Sequence, residues 1–430
     1  MAISSYRRRR QAVAPGDGGS SKTEQEQTDE EVSGHRPEVA DVIRNYGVAY
    51  LEHYRPSKEQ RKVLNDLAQC RTLALGGHLK KCGLCGHEVP VYNSCRNRHC
   101  PKCQGAARAA WLDARREELL DVEYFHVVFT VAHEVAPLAL QNRRAVYRML
   151  FRAASETLLT IARDPKHLGA EIGCLAVLHS WGQNLLAHPH LHCVVPGGGF
   201  SPDGERWVSC RDGFFLPVRV LSRLFRGKFL ALLQHAFEQH ELEFHGRLRY
   251  LENPKVWESW LEPLRNKDWV VYAKPPFGGP QQVLKYLARY THRVAISNQR
   301  LLSLEDGKVT FRWKDYANGN RQRTMTLNAL EFIRRFLLHV LPSGFMRIRY
   351  YGFFANRQRT EKLQRARRLL NDKTSSTGND FSEPEANDSV AESANELELC
   401  PQCKQGHLAV ITRIGNPVNR TQPPWSFDSS

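Results

Sequence analysis

Three histidines occur at alternate positions in the segment AHPHLHCVVPGGG, at His188, His190 and His192. Side chains two residues apart on a β-strand share one face of the sheet. His190 and His192 can therefore bind one divalent metal ion while Leu191, between them, points into the core. Ordinary strands also contain such alternations, so a metal site at this position needs support from elsewhere in the chain.

A pair of tyrosines, Tyr286 and Tyr290, provides a second candidate, in the segment YLARYTHR. The segment follows the turn FGGPQQ and is predicted to be helical, so residues four apart lie on one face, beside Arg289, His292 and Arg293. A tyrosine oxygen is a competent nucleophile when a metal ion and cations stabilise the charge of phosphoryl transfer. Two half-buried aromatic residues are the alternative interpretation.

Two Cys-x2-Cys pairs, Cys82 with Cys85 and Cys100 with Cys103, are separated by fourteen residues. Zinc in a structural site takes four tetrahedral nitrogen or sulfur ligands, and each pair supplies two thiolates from one tight turn. The spacing therefore predicts one structural zinc ion bound by all four cysteines. Ordinary buried cysteines are the alternative.

Further cysteines and histidines near these pairs are candidates for a second zinc ion. Cys95 and His99 are four residues apart, so one helical turn would bring them together. The complete set of additional candidates is Cys70, His78, Cys95 and His99.

A third Cys-x2-Cys pair, Cys400 with Cys403, occurs near the carboxyl end of the sequence and is followed by His407. It resembles half of a zinc ribbon, and no second pair follows it. We expect a vestigial or weak site there.

The composition excludes several classes of protein. With 430 residues the chain is long enough for two or three domains of about 100–200 residues each. It contains no run of about 18 apolar residues and nothing that resembles a secretory signal, so we expect a soluble protein of a reducing, intracellular compartment. Lys and Arg number 61 against 45 Asp and Glu, a formal net charge of +16. This excess indicates nucleic acid as the partner.

Apolar periodicity predicts alternating helices and strands that position these residues. Helices are expected over 39–54, 57–70, 106–121, 143–164, 222–240 and 281–290, and strands over 124–133, 174–181, 190–198 and 268–275. Two neighbouring apolar strands joined by a short loop favour an α+β fold. We expect a helical, cysteine-rich amino-terminal domain followed by a largely antiparallel sheet flanked by helices.

The motifs YNSCRNRHCPKCQ, HPHLHCVVPGGG, YLARYTHRVAIS and EFIRRFLLHVLPSGFMRIRYYG occur in that order. Their order closely resembles rolling-circle transposases of the insertion-sequence ninety-one type, in the two-tyrosine class of the HUH endonuclease superfamily. The resemblance covers roughly residues 36–370. It implies an HUH-type catalytic domain preceded by a transposase zinc-binding domain.

The resemblance also implies a mechanism. Such enzymes nick single-stranded DNA at an element end, form a 5′-phosphotyrosine and release a 3′-OH, with Mg²⁺ or Mn²⁺ as cofactor and no nucleotide cofactor. It implies Tyr286 and Tyr290 as nucleophiles and His190 and His192 as metal ligands. The third ligand is left open between Gln282 and Gln183. The expected partners are single-stranded element ends and target DNA, in the bacterial cytoplasm at the nucleoid and not at a membrane.

Clustered arginines beside aromatic residues suit a path for single-stranded DNA, where bases stack and phosphates pair with cations. The DNA-binding candidates are Arg289, Arg293, Arg347 and Arg349.

Two other functions remain open from the sequence. A plasmid replication initiator or relaxase uses the same chemistry, and a zinc-containing DNA-binding regulator needs no catalysis at all.

Five segments are expected. A basic and polar disordered tail (1–34) precedes a zinc-binding, DNA-binding domain (36–115) and the catalytic domain (120–370). An acidic disordered linker (371–398) then leads to a short cysteine-containing tail (399–430).

Overall fold

The structure, a computed structural model, describes residues 36–274, 294–315, 318–375 and 398–416. The helices are α1 Val39–His53, α2 Lys58–Gln69, α3 Cys103–Arg116, α4 Val135–Gln141, α5 Arg143–Arg163, α6 Val218–Glu238, α7 Pro254–Asn266, α8 Ala329–Leu337 and α9 Arg359–Ser375. Among these described helices, none is both long and apolar enough to span a lipid bilayer.

The strands form four small sheets. They are β1 Gly77–Cys82, β2 Glu88–Tyr92, β3 Tyr124–Thr130, β4 Gly173–Trp181, β5 Ala187–Pro196, β6 Gly198–Phe200, β7 Trp207–Ser209, β8 Val271–Lys274, β9 Leu301–Glu305, β10 Lys308–Asp315, β11 Arg321–Asn328, β12 Ile348–Gly352 and β13 Leu408–Ile414. The expected α+β class is confirmed, as is the cysteine-rich amino-terminal region that precedes an antiparallel sheet.

The central sheet has the strand order β12-β4-β5-β3-β8, and every neighbouring pair is antiparallel. Strand β5 occupies the middle, so its residues are covered by a strand on each side. Leu191 of β5 lies opposite Leu178 of β4 and Phe129 of β3. Because opposed residues of antiparallel strands share a face, these three apolar side chains point to the same side of the sheet.

That side packs against helices α5 and α6. Phe151 and Leu158 of α5 and Phe225 and Phe229 of α6 are all buried in one cluster with Leu191. On the opposite side, the part of the chain that the structure describes contributes Trp207, Phe353 and residues of α9. A sheet with one fully packed face leaves room for polar side chains on the other face.

A second core joins the amino-terminal helices to a later part of the chain. Strands β9, β10 and β11 form an antiparallel meander that leads into α8. Phe311 of β10 and Phe332 and Phe336 of α8 are buried together with Ile43 of α1 and Leu67 of α2. Helix α2 begins with a capping box in which the Ser57 hydroxyl accepts from the Gln60 amide and the Gln60 side chain accepts from the Ser57 amide.

The third sheet brings together segments that are distant in sequence. Its order is β13-β1-β2, and β13 runs antiparallel to β1 with Cys82 opposite Leu408 and Gly77 opposite Ile414. The hydrophobic cluster beneath it is small. Among the described residues, its buried hydrophobic members are Cys82, Cys400 and Leu408, and Val89 and Cys403 are partly covered.

Candidate active site and metal centres

Three histidines meet on the face of the central sheet that is opposite Leu191. His190 and His192 lie on β5, and His179 lies on β4 directly opposite His190. The three residues each offer one ring nitrogen within 4.8 Å of the others, which is close enough for one metal ion. His179 and His192 are buried, and His190 is half-buried.

Hydrogen bonds fix the orientation of the two β5 rings. His190 Nδ1 lies 2.6 Å from the carbonyl oxygen of His188, so it donates to that oxygen. His192 Nδ1 lies 2.8 Å from Nε2 of the buried His126 on β3. In both rings Nδ1 has a protein partner, which directs Nε2 toward the shared centre. Such partners of metal-binding histidines set the tautomer and the ring position.

His179 was missed by the sequence reasoning. Its ring stacks on Trp181 at a centroid distance of 4.6 Å and meets His192 edge-on at 4.4 Å. The segment CLAVLHSW carries a single histidine in an otherwise ordinary buried strand. His179 lies beside His190 because of the register between β4 and β5, so only a prediction of strand pairing could have identified it.

The expected third ligand was Gln183 or Gln282. Gln183 follows β4, and its carbonyl oxygen accepts a hydrogen bond from Arg300. Gln282 lies outside the described residues, as do Tyr286 and Tyr290 and the arginines Arg289 and Arg293. Among the described residues, the structure adds His179 to the two histidines that the sequence singled out.

One group of four cysteines lies between α2 and α3. The Sγ atom of Cys70 is 3.6 Å from those of Cys100 and Cys103, and Cys95 Sγ is 3.6 Å from Cys103 Sγ. Four sulfurs at about 2.3 Å from a tetrahedral zinc ion lie about 3.8 Å from one another. The observed spacing fits a zinc tetrathiolate. Arg44 supports the group by donating to the carbonyl oxygens of Ala68 and Cys70.

A second group combines Cys82 and Cys85 with Cys400 and Cys403. The Sγ atoms of Cys82 and Cys403 are 3.8 Å apart, and those of Cys85 and Cys400 are 3.6 Å apart. All four sulfurs lie within 4.8 Å of one another. These distances match the same tetrahedral arrangement and exceed the length of a disulfide bond, about 2.05 Å.

The structure corrects the expected pairing of cysteines. Cys82 and Cys85 do not share a centre with Cys100 and Cys103, because β1 carries the first pair toward β13 while the second pair begins α3 and faces Cys70 at the end of α2. The tail pair, which was expected to be vestigial or weak, completes a group of four.

Two histidines proposed as zinc ligands belong to neither cysteine group. His78 lies on β1 opposite Arg413 and Val91. His99 is largely enclosed, and burial, followed by the charge of Arg98, lowers the pKa of His99 to about 3. The ring is therefore neutral, and its Nε2 atom is buried without a hydrogen-bond partner among the described residues.

Arg347 and Arg349, expected to contact DNA, make extensive contacts within the protein. Arg347 donates to the Gln104 side chain, and burial lowers the pKa of Arg347 to about 10. The guanidinium of Arg349 lies over the rings of Phe151 and Phe345, with centroid distances of 4.2 and 5.2 Å. These contacts position the segment around β12, and a DNA contact by either residue stays a prediction.

A separate cationic cleft lies beside the loop between β4 and β5. Its volume is about 530 Å³, and it is lined by Arg36, Gln183, Ser297, Gln299, Arg300, Arg312, Trp313, Lys314 and Gln322. Arg300 joins the cleft to the loop by donating to the Gln183 carbonyl oxygen. That loop leads directly into β5, the strand that carries His190 and His192.

Comparisons with known proteins identify the family of this chain. Residues 173–362 match a family model described as "Putative transposase", and residues 42–131 match one described as "Transposase zinc-binding domain". The chain is 56% identical over 396 residues to "Putative transposase y4qJ" of Sinorhizobium fredii (strain NBRC 101917 / NGR234), covering 92% of this chain and 99% of that protein. It is 26% identical over 302 residues to "Transposase for insertion sequence element IS801" of Pseudomonas savastanoi pv. phaseolicola, covering 69% and 70%. No solved structure matches.

Proposed function

Because this chain belongs to the transposases of the insertion-sequence ninety-one type, which are DNA-cleaving enzymes, we propose that it nicks and rejoins single-stranded DNA at element ends. The reaction proceeds through a covalent 5′-phosphotyrosine and drives rolling-circle transposition. The observation that carries this proposal is the convergence of His179, His190 and His192 on one face of the central sheet.

The three imidazoles form the metal site of the proposed reaction. Imidazole nitrogen is a better ligand for Mn²⁺ and later transition metals than for Mg²⁺, which prefers oxygen. The three nitrogen donors therefore fit Mn²⁺ more closely than Mg²⁺, and we expect either ion to support the reaction. A divalent ion held there supplies positive charge that polarises the scissile phosphate and stabilises its developing negative charge.

Tyr286 and Tyr290 are the proposed nucleophiles. The tyrosine oxygen attacks the scissile phosphorus, the new O–P bond replaces the bond to the 3′ oxygen, and that oxygen leaves as a 3′-OH after taking up a proton. The phosphotyrosine keeps the energy of the broken ester, so the later attack by a 3′-OH rejoins DNA without a nucleotide cofactor. Two nucleophiles allow one cleavage at the donor end and a second at the other end or the target.

The cationic cleft supports a route for the DNA strand. Arg312 and Lys314 are both exposed on β10, and Trp313 between them is half-buried. Arg312 and Lys314 share one face of β10, whereas Trp313 points to the other face and packs against the second core. Two cations on one face suit a DNA strand, because they can pair with its phosphates. The cleft reaches the loop before β5, which would deliver the strand to the histidine face.

A nicking assay with the full chain tests this function. Single-stranded oligonucleotides that contain an element end are incubated with the protein and Mn²⁺ or Mg²⁺, and a denaturing gel is examined for a protein–DNA adduct. We expect an adduct and a shorter DNA product that ends in a 3′-OH. The same sequence as a duplex, or the single strand with a chelator, should give neither.

Tyrosine variants complete the test. Tyr286→Phe and Tyr290→Phe should each leave some adduct on a single-end substrate but impair complete transposition, and the double variant should leave none. Tyr272→Phe is the matched control, because Tyr272 is an exposed tyrosine of β8 outside the proposed pair. An adduct that persists in the double variant would show that neither tyrosine is the nucleophile.

A further inference from the structure

We propose that Cys82, Cys85, Cys400 and Cys403 bind a second structural zinc ion, and that this ion fastens residues 398–416 to the amino-terminal hairpin β1-β2. The two cysteine pairs are more than 300 residues apart, with separations of 315 and 321 residues for the closest sulfurs. The tail pair lies outside both matched family segments, 42–131 and 173–362. The inference does not depend on the proposed nicking chemistry.

The two halves of the site share one feature of their turns. The residue after each second cysteine, Gly86 or Lys404, has a left-handed backbone, with φ of +73° and +54°. Such a conformation is uncommon for lysine, which indicates that the turn is imposed by its surroundings. Backbone amides then point at the sulfurs. Leu84 N donates to Cys82 Sγ at 3.4 Å, and Gly406 N donates to Cys403 Sγ at 3.3 Å.

Close packing around the sulfurs leaves no space for a side chain at Gly406. A Cβ atom added at Gly406 would lie 2.4 Å from Cys82 Sγ and 2.7 Å from the Leu84 Cβ atom. Only glycine at position 406 lets the tail approach the turn between Cys82 and Cys85 so closely. The contact joins the two halves of the site directly, as expected if all four sulfurs share one ion.

The apolar surface buried by residues 398–416 is too small to keep this segment attached to β1 without further bonds. The local cluster contains three buried residues, and β13 is exposed along Ala409–Arg413, including Val410 and Ile411. Small units with so little core usually need a metal or disulfides to remain folded. The β1-β13 ladder and the Lys80–Glu398 ion pair at 2.7 Å add to the attachment, but both depend on the tail being in place.

Zinc content measured on the full chain tests the proposal. All chains compared carry His190→Ala/His192→Ala, because three imidazoles also bind zinc and would add to the count. Elemental analysis should then find two zinc ions per chain, one in this site and one in the Cys70, Cys95, Cys100 and Cys103 site. The double variant Cys400→Ser/Cys403→Ser should retain one, and so should Cys82→Ser/Cys85→Ser. Cys210→Ser is the control, since Cys210 belongs to neither group, and it should retain two. Two ions in the tail variant, or one in the unaltered chain, would overturn the proposal.

Cobalt substitution identifies the ligands. Co²⁺ loaded into the full chain should give thiolate charge-transfer absorption that falls by about half in the Cys400→Ser/Cys403→Ser variant. An unchanged spectrum in that variant contradicts a tetrathiolate at the second site. The Cys210→Ser spectrum should match that of the unaltered chain.

Gly406 and Gly415 provide a matched pair of variants that tests the close approach of the tail to Cys82. Gly406→Ala should lower the affinity of one of the two zinc ions, measured by competition with a chromogenic chelator. Gly415→Ala should leave both affinities unchanged, because a Cβ atom at Gly415 meets nothing within 4 Å. Equal zinc affinities in the two variants would show that the tail does not close over a metal.

Hydrogen exchange measures the fastening itself. Amides of β1 that pair with β13 should exchange at least tenfold faster in Cys400→Ser/Cys403→Ser, together with those of Leu408–Ile414. Amides of α2 should be unaffected, because that helix packs in a separate cluster. Unchanged protection of Leu408–Ile414 would mean that strand pairing alone holds the tail.

Discussion

The Nε2 atom of His126 lies 2.8 Å from Nδ1 of His192, across the neighbouring strands β3 and β5. His126 itself is not one of the three clustered histidines, and its ring is buried beside them. Its position makes it a partner that orients His192, a proposed metal ligand. A site built on the central strand of a sheet is held more precisely than one on a loop, because both neighbouring strands restrict its movement.

Replacement of His126 should weaken metal binding without removing the reaction. In His126→Phe the ring volume is kept but the hydrogen bond to His192 is lost, so we expect the Mn²⁺ concentration for half-maximal nicking to rise by about 10–100-fold. The rate at saturating Mn²⁺ should change by less. His133→Phe is the control, because His133 is exposed and lies outside the cluster. An unaltered Mn²⁺ midpoint in His126→Phe contradicts the orienting role.

His179 should be as necessary as the two histidines of β5. His179→Ala removes one of three nitrogen ligands, so nicking at moderate Mn²⁺ is expected to fall by at least 100-fold, like that of His190→Ala and His192→Ala. His188→Ala should retain most activity, because His188 is exposed and is not in the cluster. Thermal unfolding should be measured for each variant. Normal nicking by a folded His179→Ala protein would remove that residue from the site.

Each cation of the cleft that pairs with a phosphate should add to the affinity for single-stranded DNA. Arg312→Ala/Lys314→Ala is expected to weaken binding of a single-stranded oligonucleotide and to reduce the slope of log affinity against log salt by about 0.7 for each lost phosphate contact. Fluorescence anisotropy at several salt concentrations measures both. Arg249→Ala, an exposed arginine remote from the cleft, should not change the slope. The same slope in the double variant would place the DNA elsewhere.

Stability should fall as the pH decreases from about 6.5 to 4 because of His339. Burial lowers the pKa of His339 to about 4, while its Nε2 donates to the Leu185 carbonyl oxygen and Nδ1 accepts from the Ser180 hydroxyl. In this pH range the unfolded chain binds a proton that the folded chain does not, which costs up to about 3 kcal/mol at the acidic end. Above about pH 6.5 the ring is neutral in both states and the effect vanishes.

His339→Gln tests this dependence, because glutamine cannot take up the proton. Urea unfolding at several pH values should give a smaller decrease in the free energy of unfolding between pH 6.5 and 4 than in the unaltered chain. The absolute stability at pH 7 is expected to be lower, since the glutamine cannot reproduce both hydrogen bonds. Parallel pH profiles in the two proteins would exclude His339 as the cause.

Local sequence patterns determined much of the secondary structure and part of each site. Helical apolar spacing predicted α1, α2, α5 and α6, and apolar runs rich in β-branched and aromatic residues predicted the strands β3, β4, β5 and β8, all within a few residues. The pair His190 and His192 was readable for the same reason, because both side chains belong to one strand. The Cys-x2-Cys pairs were readable as local turns. None of these inferences requires knowledge of which segments meet.

Only the tertiary structure decided which of these local units share a centre. His179 joins His190 through the register of β4 with β5, and Cys82 joins Cys400 through the pairing of β1 with β13. Cys70 joins Cys100 because the carboxyl end of α2 meets the turn that precedes α3. Each contact spans from about ten to more than 300 residues and depends on strand register or helix packing, which spacing along the chain does not encode. A metal centre is defined by distances in space, so the sequence indicates most of the candidate ligands, and the fold determines which of them lie together.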